Sequence, residues 1–294
     1  MPATTEQLHP KALGLDERPT EEIASLLVAG QCAAARSVAA ASAEIAQGAE
    51  LMAQSLTSGG TIYYAAAGSS GLMAAADAQE LGGTFSIPHD QLAILMAGGL
   101  PTGVEMPGDT EDDAQGLEAG LANAGARDTV IAVSASGTTP YTLRAVEIAK
   151  RAGAKVIGIA NNRGSALLEA ADVAIALETP PELLSGSTRL GAGTAQKIAL
   201  NSLSTAMAVH LGHVHDGMMV NLRADNDKLR KRAVGIVSRI ADVPEADALN
   251  ALKEADGAVK PATLIAAHSI SLPEAQTRLA DASGRLRVAL AQNN

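Results

Sequence analysis

Three segments carry side chains and spacings suited to chemistry. The first is Ala67-Gly68-Ser69-Ser70-Gly71, the second Ser134-Ala135-Ser136-Gly137-Thr138-Thr139-Pro140. Each follows a short apolar run and precedes a helical pattern. Backbone N–H groups at a helix start, joined by hydroxyl donors, hold an anion without any basic residue. The bland alternative is a strand-to-helix turn with hydroxyl caps, and two such loops at matching places favour a phosphate grip. Neither loop is a P-loop, because no Gly-Lys-Ser/Thr follows its glycines, and neither has the Gly-x-Gly-x-x-Gly pattern of dinucleotide sites. The third segment, Leu184 to Lys197, is dense in hydroxyls and glycines and reads as a binding segment or a plain loop.

These segments need a scaffold. Five apolar runs read as strands: 61–66, 92–97, 129–134, 155–160 and 173–177. None alternates apolar with polar, which predicts a sheet covered on both faces. Helical patterns near 70–81, 110–124, 139–152 and 165–170 lie between them, so the expected core is a five-stranded parallel α/β sheet. In such sheets ligands bind beyond the C-terminal strand ends, where the first two segments fall. Thr20 begins a first helix, and a long helix follows from about Cys32 to Leu56. Another apolar helix spans 193–211, and a charged one lies near 225–240. After Pro244 the chain breaks into short helical pieces. The expected division is an arm with helices over 1–58, a core domain over 59–222, and a linker helix with a helical bundle over 223–294.

Composition removes several classes of function. Lys+Arg number 22 against 32 Asp+Glu, a net charge of -10, and aromatics are 1%. Such a chain lacks the basic footprint and stacking platforms of nucleic-acid binders. One cysteine, Cys32, precludes an intrachain disulfide and fits a reducing compartment. No apolar run is read as approaching the roughly 20 residues of a membrane span, and residues 1–10 lack a signal-peptide pattern. A cytoplasmic protein is expected.

The hydroxyl loops resemble the phosphate-gripping loops of the sugar isomerase (SIS) superfamily, which implies a three-layer αβα fold. A narrower likeness rests on Gly68-Ser69-Ser70-Gly71, Asp77-Ala78-Gln79-Glu80, Thr84-Phe85, Ala97-Gly98-Gly99, Glu111-Asp112-Asp113, Ser136 to Tyr141 and Ser187 to Lys197. In that order and nearly that spacing they resemble the N-acetylmuramic acid 6-phosphate etherases, over most of residues 5–240. The Ser187–Lys197 run is its most specific part.

That resemblance implies cleavage of the lactyl ether at C3 of the sugar phosphate, by elimination and then water addition, with no metal or organic cofactor. It implies two catalytic glutamates, one protonating the leaving lactyl oxygen and one taking the C2 proton. The matching positions are Glu80 and Glu111. An acid and a base with separated pKa values suit a weakly acidic proton and a poor leaving group. Local sequence alone does not select this pair, since Glu111 sits among Asp109, Asp112 and Asp113, where a solvated helix start is equally natural. Ser69, Ser70, Ser136, Thr138, Thr139, Ser187, Thr188 and Lys197 are the implied substrate and phosphate contacts. The resemblance also implies a homodimer acting on a small sugar phosphate and a C-terminal bundle similar to ubiquitin-associated domains. A non-catalytic phosphosugar-binding regulator and an aldose–ketose isomerase share the superfamily.

The chain departs from the family pattern where cations are usual. Leu8 and His9 precede Pro10 in place of Arg-Asn, and Leu72, Thr138 and Gly191 stand at positions usually held by Arg, Arg and Lys. Leu81, Gly82 and Gly83 replace Cys-Pro-Pro. Arginine is the usual bidentate partner for phosphate and carboxylate, so these changes bear on which acidic sugar phosphate is taken. Two clusters stand outside the likeness. His210, His213 and His215 with Asp216 have a metal-site composition, but helix-end and loop histidines are the plainer reading. Arg223, Lys228, Arg230, Lys231 and Arg232 read as a solvated helix or as a cationic edge facing substrate or a second subunit.

Overall fold

The structure is a computed structural model that describes residues 4–106 and 110–292. The five apolar runs form strands β1 (Ile62–Ala66), β2 (Leu92–Met96), β3 (Thr129–Ser134), β4 (Lys155–Ala160) and β5 (Val173–Ala176). They make one parallel sheet in the order β2-β1-β3-β4-β5. The chain runs outward from β1 to β2, then returns to the other side of β1 with β3. That reversal makes the carboxyl ends of β1 and β3 the switch point where open α/β sheets bind ligands.

The helices are α1 (Thr20–Ser37), α2 (Ser42–Thr57), α3 (Gly68–Phe85), α4 (Leu117–Gly120), α5 (Pro140–Arg151), α6 (Ala166–Ala170) and α7 (Gly191–His210). One sheet face buries Tyr63, Ala65, Val130, Ala132 and Val156 against Tyr141, Ala145 and Ala149 of α5 and Leu167 of α6. On the other face α2 comes so close that a Cβ at Gly48 would meet Leu203 of α7 and Ile157 of β4. Helices on both faces complete the expected αβα layering. They also explain the continuous apolar runs of the central strands β1, β3 and β4, which are buried along nearly their whole length.

Three expectations change. The first helix begins at Thr20 as expected but runs on to Ser37, so the second, expected from about Cys32, begins only at Ser42, after a 3-10 turn at Val38–Ala41. Secondly, the helical run Thr20–Thr57 contains an 18-residue window of hydropathy 1.4, long and apolar enough by composition to cross a membrane. The expectation of no such stretch is corrected here; the scattered Ala residues of this run escape a search for bulky apolar blocks. Thirdly, the helix expected over 110–124 shrinks to α4, with turns elsewhere among the described residues. Gly116 enters α4 with φ 85 and Gly125 lies just beyond, so the segment is punctuated by residues that weaken helices.

By contact the chain divides into two compact units. One comprises residues 1–79 and 89–206, the other 80–88 and 207–294. The second unit holds a two-stranded ribbon, β6 (Val214–His215) and β7 (Met218–Met219), and helices α8 (Asp227–Ala241), α9 (Glu245–Glu254), α10 (Val259–His268), α11 (Leu272–Asp281) and α12 (Leu286–Leu290). Its core is aliphatic, built around Val237, Ala248, Ala262, Leu264 and Ala289. Asn226 caps α8 and Ser271 caps α11 through their side chains.

Candidate active site

Strand β1 passes into α3 with only Ala67 between them, so the first hydroxyl segment is not a loop but the opening turn of a helix. Ser69 and Ser70 sit where backbone N–H groups lack partners within the helix. Gly68 enters this turn with φ +52. A Cβ there would lie 2.7 Å from the Glu111 Oε1 atom. The left-handed backbone and the carboxylate therefore both select glycine.

The second segment is a true loop. Its buried Ser134 Oγ accepts from the Gly137 N–H at 3.0 Å and shares a hydrogen bond with Thr139 Oγ1 at 2.8 Å. Ser136 Oγ accepts from both the N–H and the hydroxyl of Thr138, at 3.2 and 3.1 Å. Gly137 has φ +72, and a Cβ there would stand 2.1 Å from Ser165 Oγ. That buried Ser165 hydroxyl has no hydrogen-bond partner among the described residues.

Glu111 joins the two segments. Its backbone carbonyl accepts from the Tyr141 N–H at 3.0 Å, which holds it at the start of α5. Its exposed carboxylate reaches the start of α3. Because β1 and β3 are hydrogen-bonded neighbours, with Ala66 opposite Val133, the site groups Glu111 with Ser69, Ser70, Ser136, Thr138 and Thr139 at the switch point. Its chemistry is a carboxylate able to move a proton, beside hydroxyls and N–H groups able to hold a phosphate.

The third segment connects through the N-terminal arm. Buried Thr5 takes both ends of the Asn162 amide: its N–H donates to Oδ1 at 3.4 Å and its Oγ1 accepts from Nδ2 at 3.2 Å. The same Nδ2 donates to the Ser136 carbonyl at 3.2 Å. The Thr5 carbonyl accepts from the Gly186 N–H at 3.2 Å, immediately before Ser187 and Thr188. The arm is thus tied to both the β3 loop and the segment ahead of α7. The Thr188 carbonyl accepts from Gly193 N–H, and buried Glu182 accepts from Gly191 and Ala192 N–H at 3.0 and 2.8 Å, capping α7. A Cβ at Gly191 would meet Ala34 and Glu182 at 3.1 Å, so the space a longer side chain needs is taken by α1.

Lys197 is exposed on α7 and donates to Asn201 Oδ1. Asn201 in turn donates to buried Asp77 Oδ1 at 2.7 Å. Asp77 also accepts from Ser204 at 2.8 Å and from the Tyr64 hydroxyl at 3.0 Å. Burial and the Asp77 charge push the Tyr64 phenol well above its ordinary pKa, so it remains a donor. This network clamps α3, α7 and β1 behind the site. Sequence reasoning missed Asn162, Ser165 and Glu182; a buried polar side chain in a loop leaves no periodic signal.

Glu80 is exposed, twelve residues beyond Gly68 within α3, or about 18 Å along the helix axis. Asp109, an acid just before Glu111, lies outside the described residues. Arg223, Lys228, Arg230, Lys231 and Arg232 are exposed along or just before α8, and Arg230 pairs with Asp227 at 2.7 Å.

The SIS domain model matches residues 107–206. An Escherichia coli CFT073 protein, solved as a ligand complex, has the same fold, with a TM-score of 0.52 at 16% identity, over 68% of this chain and 96% of that one. The N-acetylmuramic acid 6-phosphate etherase of Deinococcus radiodurans is 41% identical over 295 residues, 99% of this chain and 96% of the relative. That of Streptomyces avermitilis is 40% identical over 291 residues, 98% and 93% of the two chains. The chain belongs to the N-acetylmuramic acid 6-phosphate etherase family.

Proposed function

We propose that the protein cleaves the D-lactyl ether of N-acetylmuramic acid 6-phosphate to N-acetylglucosamine 6-phosphate and D-lactate, in recycling of cell-wall amino sugars. Full-length relatives named for this activity support the reading. The observation that carries it within the chain is the Glu111 carboxylate set between two hydroxyl-rich turns at the switch point. The phosphate binds Ser69, Ser70, Ser136, Thr138 and Thr139, with Ser187, Thr188 and Lys197 completing the substrate contacts. Glu80 and Glu111 divide the proton transfers. One carboxylate takes the C2 proton, which the C1 aldehyde of the opened ring acidifies. The other gives a proton to the lactyl oxygen as the C3–O bond breaks. Water then adds its hydroxyl at C3 and a proton at C2, restoring both carboxyl groups.

The distance of Glu80 along α3 supports a homodimer in which a second copy brings Glu80 to the site. The surface of α1 supports the dimer too: only Ala34 of its 18 residues is buried, and Val28 is 62% exposed. A shallow apolar groove of about 460 Å³, lined by residues including Val38, Ile45, Ile198 and Ala206, adjoins it. Cytoplasmic residence is part of the same reading, since a single exposed thiol, Cys32, suits a reducing compartment.

The test is D-lactate release from N-acetylmuramic acid 6-phosphate. The wild-type chain is expected to release it, while Glu80→Gln and Glu111→Gln, each folded, lose about 100-fold or more. Thermal stabilisation by the sugar phosphate without lactate release would instead favour a phosphosugar-binding regulator. Mixing the two inactive variants tests the shared site. Random re-pairing gives half heterodimers with one intact site each, and so about a quarter of wild-type activity; no recovery contradicts it.

A further inference from the structure

The histidine cluster near the end of α7 has no part in the site above, and its surroundings are cationic. Among the described residues no three His, Cys, Asp or Glu side chains are arranged to hold a metal ion. His210 and His215 instead line a cavity of about 210 Å³ together with Arg285 and Arg287. All four lie in the unit formed by residues 80–88 and 207–294.

The charges around this cavity are unbalanced. Arg287 pairs with Asp216, which also stands 3.6 Å from His215 Nε2. The Arg285 guanidinium has no hydrogen-bond or ion-pair partner among the described residues, although its stem lies against Gly212. Behind it, Lys260 of α10 is 8% exposed and donates to the Gly284 carbonyl at 2.9 Å. Burial lowers the pKa of His215 and Arg287 lowers it further, against the opposing pull of Asp216. Burial and Lys260 together bring His213 down to about 4. Two arginines and one acid thus surround a cavity with two imidazoles on its wall, in a chain of net charge -10.

We propose that this cavity is a second anion site, one that takes a phosphate group as inorganic phosphate or as a small phosphate ester. Arg285 supplies the free planar fork that binds two phosphate oxygens at once, a geometry lysine cannot provide. His215, held beside Asp216, and His210, at the end of α7, donate to the remaining oxygens. Arg287 exchanges part of its contact with Asp216 for the ligand. The cavity is too small for a whole disaccharide and suits a compact dianion. It is made of residues outside the proposed catalytic group, so its occupation is independent of ether cleavage.

NMR of the imidazole resonances of the full chain tests this, with His215→Gln and His210→Gln used for assignment. The probes are inorganic phosphate and N-acetylglucosamine 6-phosphate, each against chloride at matched ionic strength. The expected result is a saturable shift of His215 and a rise in its pKa with phosphate. Arg285→Gln weakens that binding about tenfold or more and leaves lactate release at saturating substrate unchanged. Response to both probes, or to the ester alone, supports the site and distinguishes the two sources. A linear, non-saturating shift marks an adventitious ion only and overturns the proposal, as does an identical response in Arg285→Gln.

Discussion

Replacing Gly68 by alanine places one methyl group beside the carboxylate proposed to move a proton. The added Cβ would stand 2.7 Å from Glu111 Oε1, and ordinary contact begins near 3.4 Å, so the carboxylate retreats by about 0.7 Å. Glu111 is exposed, so this retreat itself costs little. The stability loss comes mainly from the backbone, since an L-residue at φ +52 is strained by about 1–2 kcal/mol. At about 2–4 °C per kcal/mol the melting temperature drops by only a few degrees. Catalysis suffers more, because misplacing a reacting group by about 1 Å costs up to about 100-fold. We expect Gly68→Ala to stay folded and lose about 10- to 100-fold in kcat for lactate release. Gly235→Ala, in the open on α8, serves as the control, with unchanged activity and stability equal or raised by up to about 1 kcal/mol. A folded Gly68→Ala protein with wild-type kcat would refute the placement of the reacting carboxylate at the start of α3.

Three further outcomes are expected. Gly137→Ala combines left-handed strain with a collision on Ser165 and should lower unfolding free energy by about 2–5 kcal/mol in urea titrations. Asp77→Ala leaves the Tyr64, Asn201 and Ser204 donors without their acceptor and should cost about 3 kcal/mol or more by the same assay. His213 is held neutral, with its pKa lowered from 6.5 to about 4, so the unfolded chain binds the proton more tightly. Its contribution is complete above pH 6.5 and is lost as pH falls toward 4, by up to about 3 kcal/mol; His213→Gln should flatten that part of the urea-stability profile.

The sheet was legible because burial on both faces writes itself as uninterrupted apolar runs, and all five strands fall where those runs are. The position of the hydroxyl segments at strand ends followed from the same logic. What the sequence hid is local and three-dimensional. Ser69 and Ser70 open α3 directly because Gly68 turns left-handed, which residue type permits but does not announce. The 110–124 helix is cut short because its glycines outweigh a weak periodicity. Asn162 and Thr5, far apart in the chain, meet only after the arm folds over the β3 loop. Glu80 was legible only through family likeness. Its place well along α3 follows from counting helical residues.

The central claim is elimination at a site built around Glu111. It is tested most directly by running the reaction in D2O and measuring deuterium at C2 of the N-acetylglucosamine 6-phosphate formed. The account predicts one deuterium at C2 from the wild-type chain, and neither lactate nor exchange above background from a folded protein lacking both carboxylates, Glu80→Gln with Glu111→Gln. Lactate release with the original hydrogen retained at C2 would contradict it.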